Sequence, residues 1–403
     1  MNTKPTQLLF ITWDSDRTSY LESLFLPILS GLQERGNYRC QVLQFSWAPK
    51  EKVREIKVLS TKLDIVYTHF RIARYPHPAL GTYLTVLRGT RFLKKYLETQ
   101  PVDMVMPRST MPAWMLNRLK PWLRKWKFKT VFDADGLPLE ERLDFAGLKK
   151  SDFQYKLLKK QETLQLQTAN RVLTRSQKAI EFHLGNLGDA YRNKFYKVSN
   201  GRNANGMAFQ EGLREKIRKS LGLEEETTLW VYQGSLGPQY AWEEMWAIFT
   251  AFYQKNPNSM FLILSPQLEF VKGKISANWQ EHVICKSVAA KDVPSYLAAA
   301  DRAFCLRKPK PSMQGIAPIK LGDYLMMGLP TIVSRGIGDV EDLLDGLDFV
   351  HILDHNDAGF VDKALCWSKK GFQMEKEGIR DFAMEHFSLE KSIADYLRAL
   401  EGF

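Results

Sequence analysis

The stretch Gly315–Pro330, GIAPIKLGDYLMMGLP, sets a lysine and an aspartate three residues apart just behind a proline and ahead of an apolar run. Proline is tolerated where a helix opens, because the N–H it lacks has no partner there, so Pro318 predicts a helix start. On that opening turn Lys320 would supply a full positive charge. The backbone N–H groups of Gly315, Ile316 and Ala317 would supply dipoles beside it, a combination suited to an anion such as phosphate. Asp323, nearly one turn further, would lie on the same side and could accept hydrogen bonds from sugar hydroxyls. A cation for phosphate beside an acid for ribose suggests a nucleotide. The same two residues also fit an ordinary ion pair on a helix surface.

Two Asp-x-Asp sequences, WDSDR with Asp14 and Asp16 and FDADG with Asp133 and Asp135, could each hold a divalent cation bridging a diphosphate. Acids at strand ends are also common turn residues. An acceptor-side or structural role is expected for Asp135. His69 and His77 stand alone, and no Ser/His/Asp arrangement, metal-spaced cluster or GxGxxG fingerprint appears, so no resident metal or cofactor is expected. The four cysteines are far apart and show no CxxC spacing, which fits core thiols in a reducing compartment.

Strand-like and helix-like stretches alternate along the chain. QLLFITW, RCQVLQFSW, VDMVMP and KTVFDADG are separated by helix-length segments, the βαβ pattern of a parallel sheet. A second series, TTLWVYQGS, SMFLILSP, HVICKSV, RAFCLRK and LPTIVSRG, follows the turn-like KVSNGRNANG. The chain of 403 residues is expected to form two doubly wound α/β domains. Their expected spans are 1–198 and 199–385, with a closing helix in 386–403. In such sheets ligands bind beyond the carboxyl ends of the strands.

The order of elements in RAFCLRKPKPSMQGIAPIKLGDYLMMGLPTIVSRGIGDVEDLL resembles the nucleotide-sugar segment of retaining family-4-like glycosyltransferases, which have the GT-B fold of two Rossmann-like domains facing a central cleft. Arg307 matches a cation after a strand, Ala317 to Lys320 with Asp323 and Tyr324 match a Pro-x-Lys-x-x-acid-Tyr run, and Gly336 to Asp339 match a glycine-rich loop. VYQGSLG is similar to the family's glycine loop, putting Gly234 and Ser235 at the phosphate end. VICKSVAAKDVP is similar to its base-binding segment near Ser287 and Val288. The resemblance implies catalytic roles for Lys320, Arg307 and Asp135, with Gly234, Ser235, Ser287, Val288, Gly315, Ile316, Ala317 and Asp323 around the donor. The chain departs from the family at Gly315, where relatives carry a sugar-gripping glutamate. It departs again at Ser235 and Tyr240, where they often carry arginine and lysine.

The net charge of +12 points to a polyanionic partner. Met104 to Phe132 contains Arg108, Arg118, Lys120, Arg124, Lys125, Lys127 and Lys129, no acid, and interleaved Trp114, Trp122, Trp126 and Phe128. Cations among aromatic rings suit the edge of an anionic bilayer, the expected partner of Arg118, Lys120, Arg124, Lys125 and Lys127. The alternative is that the tryptophans pack in the core and the cations stay solvated. No signal peptide or membrane-spanning stretch is evident, so a cytoplasmic protein, peripheral on the inner membrane face, is expected. The reading is a glycosyltransferase moving a sugar from a nucleotide-diphosphate-sugar to a bacterial surface glycan or lipid-linked oligosaccharide, with retention and without metal, and with no nucleic-acid partner. Two alternatives stay open: a metal-dependent transferase using Asp133 and Asp135, and a non-catalytic basic protein that binds membrane or nucleic acid.

Overall fold

The computed structural model describes residues 4–16, 20–75, 77–123, 127–207, 211–369 and 376–402. Runs such as Leu8–Ile11 and Leu229–Tyr232 lack polar alternation because a parallel strand is covered on both faces. Among the described residues these strands build two wholly parallel sheets.

The first sheet contains β1 (Thr6–Asp14), β2 (Tyr38–Ser46), β3 (Val66–Arg71), β4 (Met104–Pro107), β5 (Lys129–Asp135), β6 (Arg171–Thr174) and β7 (Phe195–Lys197), in the order β3-β2-β1-β4-β5-β6-β7. The second contains β8 (Thr228–Gln233), β9 (Ser259–Leu264), β10 (Val283–Lys286), β11 (Arg302–Cys305), β12 (Thr331–Ser334) and β13 (Val350–Leu353), in the order β10-β9-β8-β11-β12-β13. Each sheet starts in its middle, steps outward over three strands, and resumes on the other side of its first strand. The direction of winding therefore reverses between β1 and β4 and between β8 and β11. A crevice opens at the carboxyl end of such a switch point.

The chain divides into two compact units, Met1–Asn200 with Ser392–Phe403, and Gly201–Lys391. In the first, Leu9, Ile11, Leu43, Phe45 and Val105 pack against Trp114 and Met115 of the helix Thr110–Arg118. Trp114 is thus a core residue. Ile393, on the helix Leu389–Leu400, fills the space beside Gly31, where a Cβ would lie 2.1 Å from the isoleucine Cδ1. In the second unit Trp230 stacks on Phe304 at 4.6 Å, with Phe249 and Phe261 beside them. Burial of each such side chain contributes about 1.5–3 kcal/mol.

Arg118, Lys120, Lys127 and Lys129 are exposed, whereas Arg108 is buried. Trp122 is exposed, with the Lys94 ammonium 4.8 Å from its ring centroid. Arg124 and Lys125 lie outside the described residues. Among those residues no helix is long and apolar enough to cross a membrane.

His183 is buried beside Phe195, and its Nε2 has no hydrogen-bond partner among the described residues. Burial, helped by the Lys159 charge, lowers its pKa to about 3, so the ring is neutral in the fold. In the unfolded chain it titrates at about 6.5, and its contribution to stability is therefore present above that pH and lost as the pH falls toward the folded value. His183→Leu should lose less stability than the wild type between pH 7 and pH 4, by about 3 kcal/mol in denaturant unfolding. Equal losses would mean that the buried ring is not held neutral.

Candidate active site

At the switch point of the second sheet, β8 delivers Tyr232 and Gln233 and then turns at Gly234, whose φ of 109° is one that glycine adopts and other residues rarely do. The Gly234 N–H donates to the Leu264 carbonyl at 2.7 Å, pinning this turn to the end of β9. Beyond β11 the chain continues to Arg307, whose N–H donates to Ser334 Oγ at 2.8 Å and whose backbone bridges that of Tyr240. The helix Ile319–Met326, with Pro318 at its N-cap, brings Lys320 into the same place.

The Lys320 ammonium donates to Tyr232 Oη at 2.9 Å and lies 4.5 Å and 4.0 Å from the ring centroids of Tyr232 and Tyr240. The Tyr232 hydroxyl in turn donates a hydrogen bond to the Ser235 carbonyl at 2.5 Å. A Cβ added to Gly234 would sit 2.6 Å from Lys320 Nζ, so the absence of a side chain there is what admits the ammonium. Arg307 closes the group, its guanidinium carbon 4.7 Å from the Tyr240 centroid and its Nη2 3.4 Å from Tyr240 Oη. Among the described residues no carboxylate is within ion-pair distance of Lys320.

Burial lowers the Lys320 pKa; the Tyr240 oxygen opposes this and the Arg307 charge reinforces it. Burial alone would raise the Tyr240 phenol, but Lys320 and Arg307 together bring it below its ordinary value. Two cations crowded into a poorly solvated corner leave a positive potential that an anion would relieve.

Asp323 behaves differently from the sequence expectation. Its carboxylate is buried, with Oδ1 accepting from Arg202 Nε at 2.9 Å and Oδ2 from Gln233 Nε2 at 2.9 Å, so each oxygen already has a partner on the protein. Burial raises its pKa, and Arg202 and Gln233 act against that. Tyr324, the next residue, accepts the Gln233 N–H at 2.8 Å and ties the helix to β8. The anion-binding amides need a second correction, since the Ile316 N–H is already given to the Met313 carbonyl at 3.2 Å. Gly315 is buried at the end of the short helix Pro311–Gly315, and Ala317 is partly exposed. Ser235 lies in the Gly234 turn, its side chain hydrogen-bonded to Tyr240. Ser287 and Val288 follow edge strand β10, which β9 and β8 separate from β11 in the sheet order.

Tyr232, Gln233 and Arg202 carry no sequence signal, because aromatic and polar residues at a strand end or linker look like packing or turn residues. The same holds for the support of Arg307. Ser334 Oγ meets His355 Nε2 at 2.8 Å, and His355 Nδ1 meets Glu244 Oε1 at 3.0 Å. This partly buried relay braces the strand end that holds Arg307.

The first unit carries its own cluster at the carboxyl ends of β1, β4, β5 and β6. Arg108 Nη2 donates to Asp135 Oδ2 at 2.5 Å, and Arg175 Nη2 donates to both oxygens of Asp133 at 2.8 Å and 2.7 Å. Asp14 is buried, accepting from Thr12 and from Gln44 Nε2, and burial raises its pKa against the pull of Arg108. Ser109 and Asp135 both have positive φ, at 65° and 63°, a strain that such sites concentrate. A divalent cation at Asp133 and Asp135 would have to displace guanidinium partners from both carboxylates. Asp16 is exposed beyond the strand end.

No protein-family model and no curated protein matches the chain by sequence. Its backbone, however, superimposes on HepE of Anabaena, solved with UDP and glucose, with a TM-score of 0.71 at 14% identity, covering 99% of this chain and 100% of that one. The chain has the GT-B fold. The sucrose-phosphate synthase of Thermosynechococcus elongatus is similar at a TM-score of 0.70 and 12% identity, with 98% of each chain covered. WaaG, a glycosyltransferase of lipopolysaccharide biosynthesis, is similar at 0.65 and 15%, covering 98% of this chain and 100% of its own. Within this GT-B chain, the two clusters stand at the switch points of its two Rossmann-like sheets.

The Gly234 contact can be tested by a double-mutant cycle. Gly234→Ala should cost about 2 kcal/mol in denaturant unfolding, from its backbone strain and the collision with Lys320. In the Lys320→Ala background the collision is absent and the cost should fall by about 1 kcal/mol. Strictly additive losses would place the ammonium away from the glycine.

Proposed function

We propose that the chain is a glycosyltransferase that moves a sugar from a nucleoside-diphosphate-sugar to a glycan or lipid-linked acceptor. The observation that carries this reading is the Lys320 ammonium, seated on the Gly234 turn beside Arg307 with no carboxylate among the described residues to neutralise it. The crystal structures of HepE with UDP and of WaaG support the choice of donor class and reaction.

As the bond from the sugar to the diphosphate breaks, negative charge grows on the leaving phosphate. Cations already fixed at that point stabilise the transition state more than the ground state, which is the requirement for catalysis. Lys320 and Arg307 take this role, and the Tyr232 and Tyr240 hydroxyls hold the ammonium in position. Asp323 is a positioning residue in this scheme: Arg202 and Gln233 occupy its carboxylate, which leaves the charge of Lys320 for the ligand. On the acceptor side Asp135 orients the incoming hydroxyl, its own carboxylate held by Arg108. The scheme asks nothing of a divalent cation, and retention of configuration follows the family resemblance. Attachment to an anionic membrane face through Arg118, Lys120 and Lys127 fits a lipid-linked acceptor.

Lys320→Ala should lower turnover of the preferred nucleotide-sugar by about 10²–10³-fold, by analogy with the loss of one preorganised donor to a developing anion. Its thermal midpoint should stay near that of the wild type. A rate within a few-fold of wild type would contradict the role of Lys320, and failure to bind uridine, guanosine or cytidine diphosphate in calorimetry would favour the non-catalytic alternative.

A further inference from the structure

The carboxyl edge of the first sheet carries a second feature, two strands outward from β1. Trp47 follows β2, Arg71 ends β3, and the loop to Tyr75 turns back along the helix Pro78–Thr99, which contributes Arg88. Together Trp47, Arg71, Arg74, Tyr75 and Arg88 line an open cavity of about 570 Å³. That volume falls in the range of about 300–1,000 Å³ found for small-molecule sites.

Arg71, Arg74 and Arg88 are all exposed, and among the described residues none of them is in an ion pair. The Arg74 guanidinium lies over the Trp47 ring at 4.9 Å. Beneath it the buried Trp47 indole N–H has no acceptor among the described residues. Three guanidinium groups around one cavity repel each other unless an anion sits among them, and their planar forks match the oxygens of phosphate or carboxylate.

The loop is built to hold these groups in place. Ile72, between the first two arginines' segments, is buried and donates its N–H to the Ser46 carbonyl at 2.9 Å. The Ala73 N–H donates to Thr85 Oγ1 at 2.9 Å, and Thr85 donates in turn to the Gly81 carbonyl at 2.7 Å. A Cβ at Gly81 would stand 2.3 Å from the Ala73 carbonyl oxygen, so the glycine is what lets the loop lie flat on the helix. A recognition site fixed in advance loses little entropy when its ligand arrives.

We propose that this cavity binds an anionic group, phosphate first, on the second substrate, and so selects acceptors that carry one. The assignment to the acceptor rests on the transferase reading; the anion site itself does not. The face of a sugar ring can lie on Tyr75 or Trp47 while its phosphate is held by Arg71, Arg74 and Arg88. Free sugar phosphates and lipid-borne phosphodiesters share the chemistry, and the test separates them.

The experiment is calorimetric titration of the Lys320→Ala protein, whose donor site is weakened, with glucose 6-phosphate and with glucose. Saturable binding of glucose 6-phosphate, no binding of glucose, and at least tenfold weaker binding after Arg74→Gln with Arg88→Gln would bear the proposal out. Co-sedimentation with phosphatidylglycerol vesicles that is lost with the same two substitutions and displaced by glucose 6-phosphate would also support it, and would assign the anion to a lipid-linked acceptor. Equal binding of sugar and sugar phosphate, or unchanged binding in the arginine variant, would overturn it. So would arginine-dependent binding of single-stranded oligothymidine alone. Uridine, guanosine and cytidine diphosphates titrated into the arginine variant with Lys320 intact report separately on the donor site. Loss of nucleotide binding in every protein, with sugar phosphate binding retained, would sink the donor reading and leave the anion site standing.

Discussion

A lysine ammonium with no carboxylate partner among the described residues, lodged among two phenols and next to a guanidinium, is an electrostatically incomplete arrangement. The rings of Tyr232 and Tyr240 return part of the lost hydration through cation–π contacts worth about 0.5–2 kcal/mol each. They carry no full opposite charge. The nearest acid in sequence, Asp323, could have closed the pair, but Arg202 and Gln233 occupy both its oxygens. The helix that carries Lys320 is thereby anchored to β8 through Asp323 and Tyr324, while the lysine charge stays unspent. The anchoring acid and the cation are three residues apart on one helix.

The parallel sheets explain why the two clusters form where they do. Every strand of a sheet points the same way, so all its loops to following helices emerge on one edge, and the reversal of winding opens a gap there. In the second unit this gap receives Gly234 and Arg307. In the first it receives Asp14, Arg108, Asp133 and Arg175, a set in which acids and guanidinium groups are nearly matched. The charge balance therefore differs between the units: positive potential around Lys320, and neutralised acids beside Asp135.

Much of this was legible in the residue order. Uninterrupted apolar runs separated by helix-length segments identify parallel strands, and Pro318, Lys320, Gly234 and Arg307 are marked by local chemistry that the fold preserves. The partners were not legible, because they come together only through tertiary structure. Arg202 reaches Asp323 across 121 positions, and Arg175 reaches Asp133 across 42. Arg108 reads as one more cation in an acid-free stretch, yet it is buried against Asp135 and Phe25. Trp114, in the same stretch, belongs to the core. The protein partners of Asp323 were hidden for one reason: helical spacing fixes the face on which a side chain lies, but not what another segment brings to meet it.

A Lys320 corner built for a leaving diphosphate should recognise the terminal phosphate of a nucleotide. The most direct measurement is the ratio of affinities, by calorimetry at fixed ionic strength, for a nucleoside diphosphate and the corresponding monophosphate. The diphosphate should bind at least about tenfold tighter, since one charge-assisted contact is worth about 1.5–3 kcal/mol, and the advantage should disappear in Lys320→Met. Equal affinities for the two nucleotides, or a preference that survives the loss of the ammonium, would contradict it.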